Sequence, residues 1–349
     1  MKFNIVDYDN PSWGHYYNEL DDKSSDIFYN QNFGKVYQKS IYKNYKIKCA
    51  TLECDSGIAI YPFVLRSIII NDEIKINDIT GYYGRNGIAS NITDLDYIQK
   101  FHNSFYDYCI NNDIVTSFDR FHPIINNHKL SSSKSIVKES GNFIILNLKQ
   151  NIEKIENNYK HMHRKSIKKA IRGNVNIFYE KNMNNLDSFI KIYHRTLKKR
   201  NAPSFYFYPK HFYELLGEYL PDNFIFFYAI VNDKIISCEL ILLSEYYCHS
   251  FFGGTLEKYR ELCPNTLLKR EIIRFLNKEE RYHYFLLGGG VSPNDGIYRY
   301  KNGFAPSGVF KSYIGGTIYD LKNYQELLKN YQENEISYDS EKIQFYDIK

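Results

Sequence analysis

The stretch Tyr282–Pro306, YHYFLLGGGVSPNDGIYRYKNGFAP, limits what this chain can fold into more than any other. It opens with a run of aromatic and aliphatic residues, Tyr282–Leu287, closed off abruptly by glycines, and this reads as a buried strand. Gly288, Gly289 and Gly290 lack a Cβ, so the backbone there is free to take positive φ, and another molecule can approach its N–H groups closely. Asp295, Arg299 and Lys301 follow, before Phe304 and Pro306 resume apolar packing. A strand that ends in bare backbone and then delivers fixed cations suits a site for an anionic substrate. The same residues also suit a glycine turn running into an edge hairpin with solvated charges.

A chain of 349 residues is too long for one small core and suits two domains of about 150 residues each. The hydrophobic share of 43% marks it as globular. Its 34 tyrosines sit among abundant Asn, Lys and Ile, a bias of AT-rich coding, and are not read as a sugar platform. A net charge of +5 permits a phosphate-bearing partner but falls short of a dedicated nucleic-acid binder. Cys49, Cys54, Cys109, Cys238, Cys248 and Cys263 show no CxxC spacing and read as small buried hydrophobes in a reducing compartment, in preference to disulfides or a metal site. The N-terminal MKFNIVDYDNPSW lacks the long apolar region of a signal peptide, and no run approaches the ~20 apolar residues of a membrane span. The expected location is cytoplasmic, with work at the inner membrane face compatible. No GxSxG, no cysteine with a paired base and no HExxH is present, so neither a covalent nucleophile nor a metal is implied.

Along the chain, Phe3–Val6 reads as a strand, and a helix carries Phe33, Val36 and Tyr37. Segments 45–54, 57–65 and 74–79, turned by Asp55-Ser56-Gly57, predict an antiparallel meander. It ends at DITGYYGRNGIASN, where glycines surround Tyr82, Tyr83 and Arg85. A helix over 94–111 buries Leu95, Ile98, Phe101, Phe105, Tyr108 and Cys109, and 114–118 is a strand. His122, beside Pro123, reads as a structural hydrogen-bonder before it reads as a base. Residues 130–141 are the expected linker or mobile loop, and 142–148 a strand. Residues 151–172 predict one amphipathic helix with Gly173 as its C-cap. Its outer face carries Lys160, Arg164, Lys165, Lys168, Lys169 and Arg172, either a phosphate-contacting face or a solvated one whose cations complement the helix dipole. A strand near 175 and helices over about 186–200 and 209–220 follow. Next come strands over 224–231, 235–243 and 246–254, a helix over 265–277 and the strand that opens the glycine stretch.

This order of strand, two helices, three antiparallel strands, helix and strand, with the strand-GGG unit and Tyr300-Lys301-Asn302-Gly303-Phe304, resembles the FemAB-like branch of the GNAT acyltransferase superfamily. The resemblance is densest over about 140–316. It implies an α+β fold of two tandem GNAT-like domains, mixed and largely antiparallel sheets flanked by helices. They would be an acceptor-side domain over 1–140 and a donor-side catalytic domain over 141–332, with 333–349 as a tail. The long coiled-coil arm of FemAB peptidyltransferases is missing, since no heptad of that length is present.

The resemblance also implies chemistry. Branch members attach aminoacyl or acyl groups to amines of cell-envelope precursors, which needs an activated carbonyl, a deprotonated amine and donors for the oxyanion. Lys301 is carried over as the oxyanion or phosphate stabiliser, with Arg299 placed on the same strand face. Asp295 and Glu239 are the candidates to accept the amine proton; Glu239 is notable as a charge inside the apolar run IISCELILL. Tyr83, Arg85, Arg164, Gly288, Gly289, Gly290 and Arg299 are the expected substrate-binding residues, and Arg260 and Asn265 the donor-binding ones. The stretch 253–266, GGTLEKYRELCPNT, lacks the compact glycine loop on which GNAT domains hold coenzyme A, which favours aminoacyl-tRNA as donor over acyl-CoA. No tightly bound cofactor is expected. The leading function is N-acyl transfer to a nucleotide- or lipid-linked muropeptide or aminosugar. The alternatives are an acyl-CoA-dependent aminosugar N-acetyltransferase of polysaccharide biosynthesis and a non-catalytic sugar-binding relative.

Overall fold

The chain begins with β1 (Lys2–Asp7), α1 (Pro11–Asn18), α2 (Gln31–Ser40), β2 (Lys46–Cys54), β3 (Gly57–Ile70), β4 (Ile74–Thr80), β5 (Ala89–Ser90), α3 (Leu95–Asn111) and β6 (Ile114–Arg120). These elements come from a computed structural model that describes residues 1–70, 74–334, 339 and 342–346. Asn10, Asn30 and Asp94 cap α1, α2 and α3 by accepting a backbone N–H of the first turn. β1 to β4 pair antiparallel in sequence, β5 adds to β3, and β4 then runs parallel to β6. The expected meander is therefore present. Alternation along β2 and β3 puts Ala50, Leu52, Ala59, Tyr61 and Phe63 against α3, where Ile98, Phe101, Phe105 and Cys109 complete a core. Leu95 was expected on that face but is 66% exposed, because it is the first residue of the helix, next to its Asp94 cap.

β7 (Ile136–Asn147) takes up much of the stretch expected to be a loop; only its start, Ser131 to Ser135, is irregular. Next come α4 (Ile152–Asn157), α5 (His161–Arg172), β8 (Asn176–Glu180), α6 (Leu186–Lys199), α7 (Lys210–Tyr219), β9 (Phe224–Val231), β10 (Lys234–Leu243), β11 (Tyr247–Thr255), α8 (Pro264–Lys278), β12 (Tyr284–Gly288) and α9 (Gly296–Asn302). The helix predicted over 151–172 is broken at Asn158-Tyr159-Lys160. The Tyr159 side chain is buried edge-on against Phe304 at 5.3 Å, and the Lys160 N–H donates to the Gly303 carbonyl at 2.9 Å instead of continuing the helical ladder. At the far end, Gly173 caps α5 with φ −83°, and the left-handed residue is Asn174, φ 52°.

The strands of this second part pair in the order β7-β12-β11-β10-β9-β8, with β11 and β12 parallel and the rest antiparallel. Both faces are covered, which is why FIFFYAIV is apolar throughout. Ile225, Phe227 and Ala229 join α8 and α5 residues in one core, whereas Phe226 meets Phe189 of α6 edge-on at 4.9 Å. The β9–β10 hairpin turns through Asn232 and Asp233, both with positive φ, as a tight primed turn requires.

After α9, β13 (Val309–Gly316) and α10 (Leu321–Glu333) end the described elements. The chain forms two compact units, Met1–Ser140 with Ser312–Lys349, and Gly141–Lys311. The second compact unit thus stops at 311 where the sequence suggested 332, because β13 pairs with β6 through Ile314↔Arg120 and Gly315↔Asp119. Of the expected tail, 335–338, 340, 341 and 347–349 lie outside the described residues. Phe345 and Tyr346 are buried with Ile76, Val115, Leu327 and Tyr331 of the first unit. The longest helix among the described residues is α3, with 17. No helix among them is long and apolar enough to cross a membrane.

Candidate active site

The parallel ladder between β11 and β12 is short. It pairs Tyr247↔Tyr284, Cys248↔Phe285 and His249↔Leu286 and then stops, although β11 runs on to Thr255. β12 instead shifts register at Gly288 to meet Ile144 of β7. On its other edge, β11 carries a bulge: Leu240 faces Phe252 and Ile241 faces Ser250, leaving Phe251 as the extra residue. The strands therefore part at Ser250, and what lies under the parting is polar.

Glu239 of β10 points to the α8 side of the sheet, as do Ile241 and Leu243. It is buried, in an ion pair with the buried Lys269 of α8, and its Oε1 also accepts from the Ser250 hydroxyl at 2.6 Å. Lys269 Nζ donates to Ser250 Oγ at 2.8 Å and lies 5.1 Å from the centre of the Phe285 ring. Burial drives the Lys269 ammonium below its ordinary pKa, and Glu239 opposes the shift. One turn earlier on α8, the Asn265 carbonyl accepts from Tyr300 Oη of α9 at 3.0 Å. Burial raises the Tyr300 phenol well above its usual range, and the Glu239 charge adds to the effect. Five elements, counting β12 with Phe285, thus meet at one cluster.

The glycine loop lies differently from the sequence expectation. Of its three glycines only Gly288 has a positive φ, +95°, and a Cβ there would come within 2.7 Å of Lys301 Nζ. Lys301 and Arg299 stand on a seven-residue helix, not on a strand, so two positions apart they point to different sides. Lys301 Nζ donates to the Gly289 carbonyl at 2.8 Å, while Arg299 is exposed. Asp295 is the N-cap of this helix. Its Oδ1 accepts from the Tyr298 N–H at 2.7 Å, and its Oδ2 accepts from the N–H groups of Val291 and Ser292 at 2.7 and 3.3 Å. The bond from Tyr298, with those from the loop, holds the carboxyl below its ordinary pKa. A carboxylate so engaged is a poor proton acceptor, which counts against the base role considered for Asp295.

The remaining candidates are spread over both units. Arg164 Nη1 donates to the Asn157 carbonyl at 2.9 Å and to that of Tyr159, so it ties the α4–α5 break together on an exposed face. Arg260 pairs with Glu257 at 3.2 Å on the 3-10 turn ahead of α8. In the first unit, Arg85 Nη1 donates to Ser312 Oγ at 3.3 Å, and burial, with Arg120 nearby, lowers its guanidinium to about 10. The Tyr83 carbonyl accepts from Tyr37 Oη at 3.2 Å. His122 has the structural role expected of it: buried, its Nδ1 accepts from the Ile124 and Ile125 N–H groups at 3.2 and 3.0 Å, so the ring proton is on Nε2, 3.0 Å from Asp26 Oδ2. All six cysteines are free thiols.

Sequence reasoning noted Glu239 but missed Lys269 and Ser250. Lys269 lies within the apolar run of α8 at Leu267, Leu268, Ile272 and Ile273, and a lysine on a buried helix face was the signal available. Ser250 gave none.

Comparison with known proteins fits this geometry. Residues 157–302 match the family model described as the acetyltransferase (GNAT) domain. That stretch is similar to a GNAT acetyltransferase domain. FemX superimposes with a TM-score of 0.66 at 10% identity, covering 94% of this chain and 99% of its own. L-PGS from Bacillus licheniformis does so with 0.56 at 11% identity, over 93% and 96%. A tandem GNAT protein from the clavulanic acid biosynthesis pathway gives 0.53 at 6% identity, over 91% and 99%. At these identities the likeness is one of fold, an α+β fold of the tandem GNAT kind. No curated protein matches in sequence.

Proposed function

We propose that the protein transfers an aminoacyl or acyl group from an activated donor to an amine on a phosphate-bearing cell-envelope precursor, a muropeptide or an aminosugar. The observation that carries this is the parting of β11 from β12 at Ser250, over a buried acid and lysine, inside the GNAT domain. It gives the domain an opening between two strands in which an extended donor can lie, with polar groups at the point of transfer. FemX and L-PGS as structural neighbours favour the envelope setting.

Lys301 supplies a cation beside the bare backbone of Gly288–Gly290, suited to the oxyanion or to an acceptor phosphate, and Arg299 is an exposed cation for the acceptor. Tyr83, Arg85 and Arg164 stay as acceptor-side candidates, and Arg260 and Asn265 as donor-side ones. The 3-10 turn Glu257–Leu262 fills the place of a compact glycine loop before α8, which favours aminoacyl-tRNA over acyl-CoA. The match to the acetyltransferase family model supports the second reading, transfer of an acetyl group from acetyl-CoA to an aminosugar.

The test is to incubate the purified protein with either charged tRNA or acetyl-CoA, each with UDP-linked muropeptide and aminosugar acceptors, and to identify products by mass. Transfer from charged tRNA with no acetyl-CoA turnover is the expected result. Turnover of acetyl-CoA alone moves the second reading into first place, and no product from either donor removes the assignment.

A further inference from the structure

The Glu239–Ser250–Lys269 cluster has a chemical asymmetry that points to a role. A serine hydroxyl has one proton to donate and two lone pairs to accept with. The Ser250 proton goes to Glu239 Oε1, and one lone pair receives Lys269 Nζ. The second lone pair has no donor among the described residues. Glu239 and Lys269 are buried, whereas Ser250 is half-buried, at the first position of β11 past the end of the parallel ladder. The hydroxyl is thus the face that this buried pair shows to the opening.

Resting on the acyl-transfer function proposed above, we propose that Ser250 relays the proton of the acceptor amine to Glu239, with Lys269 as the positioning residue that holds both. The amine nitrogen forms its bond to the acyl carbonyl carbon. Its proton passes to Ser250 Oγ as the hydroxyl proton passes to Glu239 Oε1. The positive charge gained by the Glu239–Lys269 pair is matched by the negative charge on the oxygen of the tetrahedral intermediate. When the bond from that carbon to the donor's leaving oxygen or sulfur breaks, the electron pair goes with the leaving atom. The proton returns to it through Ser250, restoring hydroxyl and carboxylate. The ion pair offsets the cost of keeping a carboxylate buried and ready. The titratable groups facing it are Lys269 from α8 and Tyr300 from α9; β12 contributes the apolar Phe285.

Glu239→Gln strands a buried lysine and endangers the fold, so the test rests on Ser250, whose truncation leaves the ion pair in place. Transfer is first measured for the wild type with each donor, then for Ser250→Ala and Ser250→Thr, from pH 6 to 10 and in heavy water. The expected result for Ser250→Ala is a kcat about a hundredfold lower near pH 7, in the range of general-base catalysis, with both KM values kept within about twofold. The deficit should shrink as pH rises and hydroxide takes over removal of the proton from the attacking nitrogen. Ser250→Thr, which keeps the hydroxyl, should restore most of the rate. The wild type should show a solvent isotope effect that Ser250→Ala lacks. A folded Ser250→Ala with wild-type kcat across the pH range, or a wild type with no solvent isotope effect, overturns the relay and leaves acyl transfer standing. A wild type that transfers nothing from any donor removes acyl transfer and the relay with it.

Discussion

Lys301 reaches from α9 to the Gly289 carbonyl and lies close over Gly288, so its ammonium is fixed where the strand gives way to bare backbone. If that charge meets the oxyanion, Lys301→Ala should lower kcat by roughly a hundredfold, about 3 kcal/mol, the scale for losing one donor aimed at a transition state. Its melting temperature should change little, and turnover measured beside a melting curve separates the two effects. Asp119 of β6 poses a different residue-scale question. Its Oδ1 accepts from Tyr61 Oη and Asn86 Nδ2, both at 2.8 Å, beside a small cavity of about 30 Å³ also lined by Ser117, Asn127 and Tyr319. Burial raises its carboxyl to about 7, well above the ordinary value that applies in the unfolded chain. Between those two values the folded state holds a proton that the unfolded state has released. This group therefore makes stability fall as pH climbs from about 4 to about 7, with no further loss above. Asp119→Asn should flatten that slope, read as the difference in melting temperature between pH 5 and pH 8.

At the scale of the element, α9 shows how a helix can hide in a sequence. Seven residues are too few to display a 3.6-residue period, and Tyr298 and Tyr300 beside two cations look equally at home on a strand. What makes it a helix is Asp295, which satisfies the Tyr298 N–H and two loop N–H groups at once. Asp295→Ala should cost about 1 kcal/mol of stability, the usual loss for an N-cap, and should lower turnover by loosening Lys301. Asp295→Asn keeps the capping oxygen and should turn over at close to the wild-type rate. A true proton acceptor would give the opposite result, so the kcat of the amide variant distinguishes cap from base. The helix pair α4 and α5 has a related history. The amphipathic period runs through 151–172, but the burial of Tyr159 against Phe304, together with the bond from Lys160 to Gly303, breaks the helix there.

For the molecule as a whole, the return of the C-terminal segment completes the first unit. Arg66 and Asp78 form a buried bidentate pair between β3 and β4, and Gln344 and Tyr346 close over it with bonds to Arg66 Nη2 at 3.3 Å and Asp78 Oδ2 at 3.1 Å. Phe345 is buried beside Tyr331. Removing residues 334–349 takes away two buried aromatics and opens the ion pair to water. The expected cost is at least about 3 kcal/mol, read from denaturant unfolding of the full and shortened chains.

Local chemistry was written plainly in the sequence. The Asp55-Ser56-Gly57 and Asn232-Asp233 turns, the alternation of β2 and β3, the doubly buried β9 and the order of strands and helices leading to Tyr282–Leu287 each depend on residues within a few positions of one another. Turn geometry and burial period act at that range, so the order of strands and helices was legible, and with it the resemblance to a tandem GNAT fold. Three matters were not. Ser250, Glu239 and Lys269 come from two strands and a helix, and only the packing of α8 on the sheet brings their polar atoms together. Asp295 read as a candidate base and Lys301 as an oxyanion or phosphate stabiliser on a strand, and only helix formation makes the one a cap and aims the other at a carbonyl. The pairing of β13 with β6 joins segments far apart in the chain. Contacts of that range are chosen by the collapse of the whole chain, when buried surface and satisfied backbone groups outweigh the entropy of closing long loops.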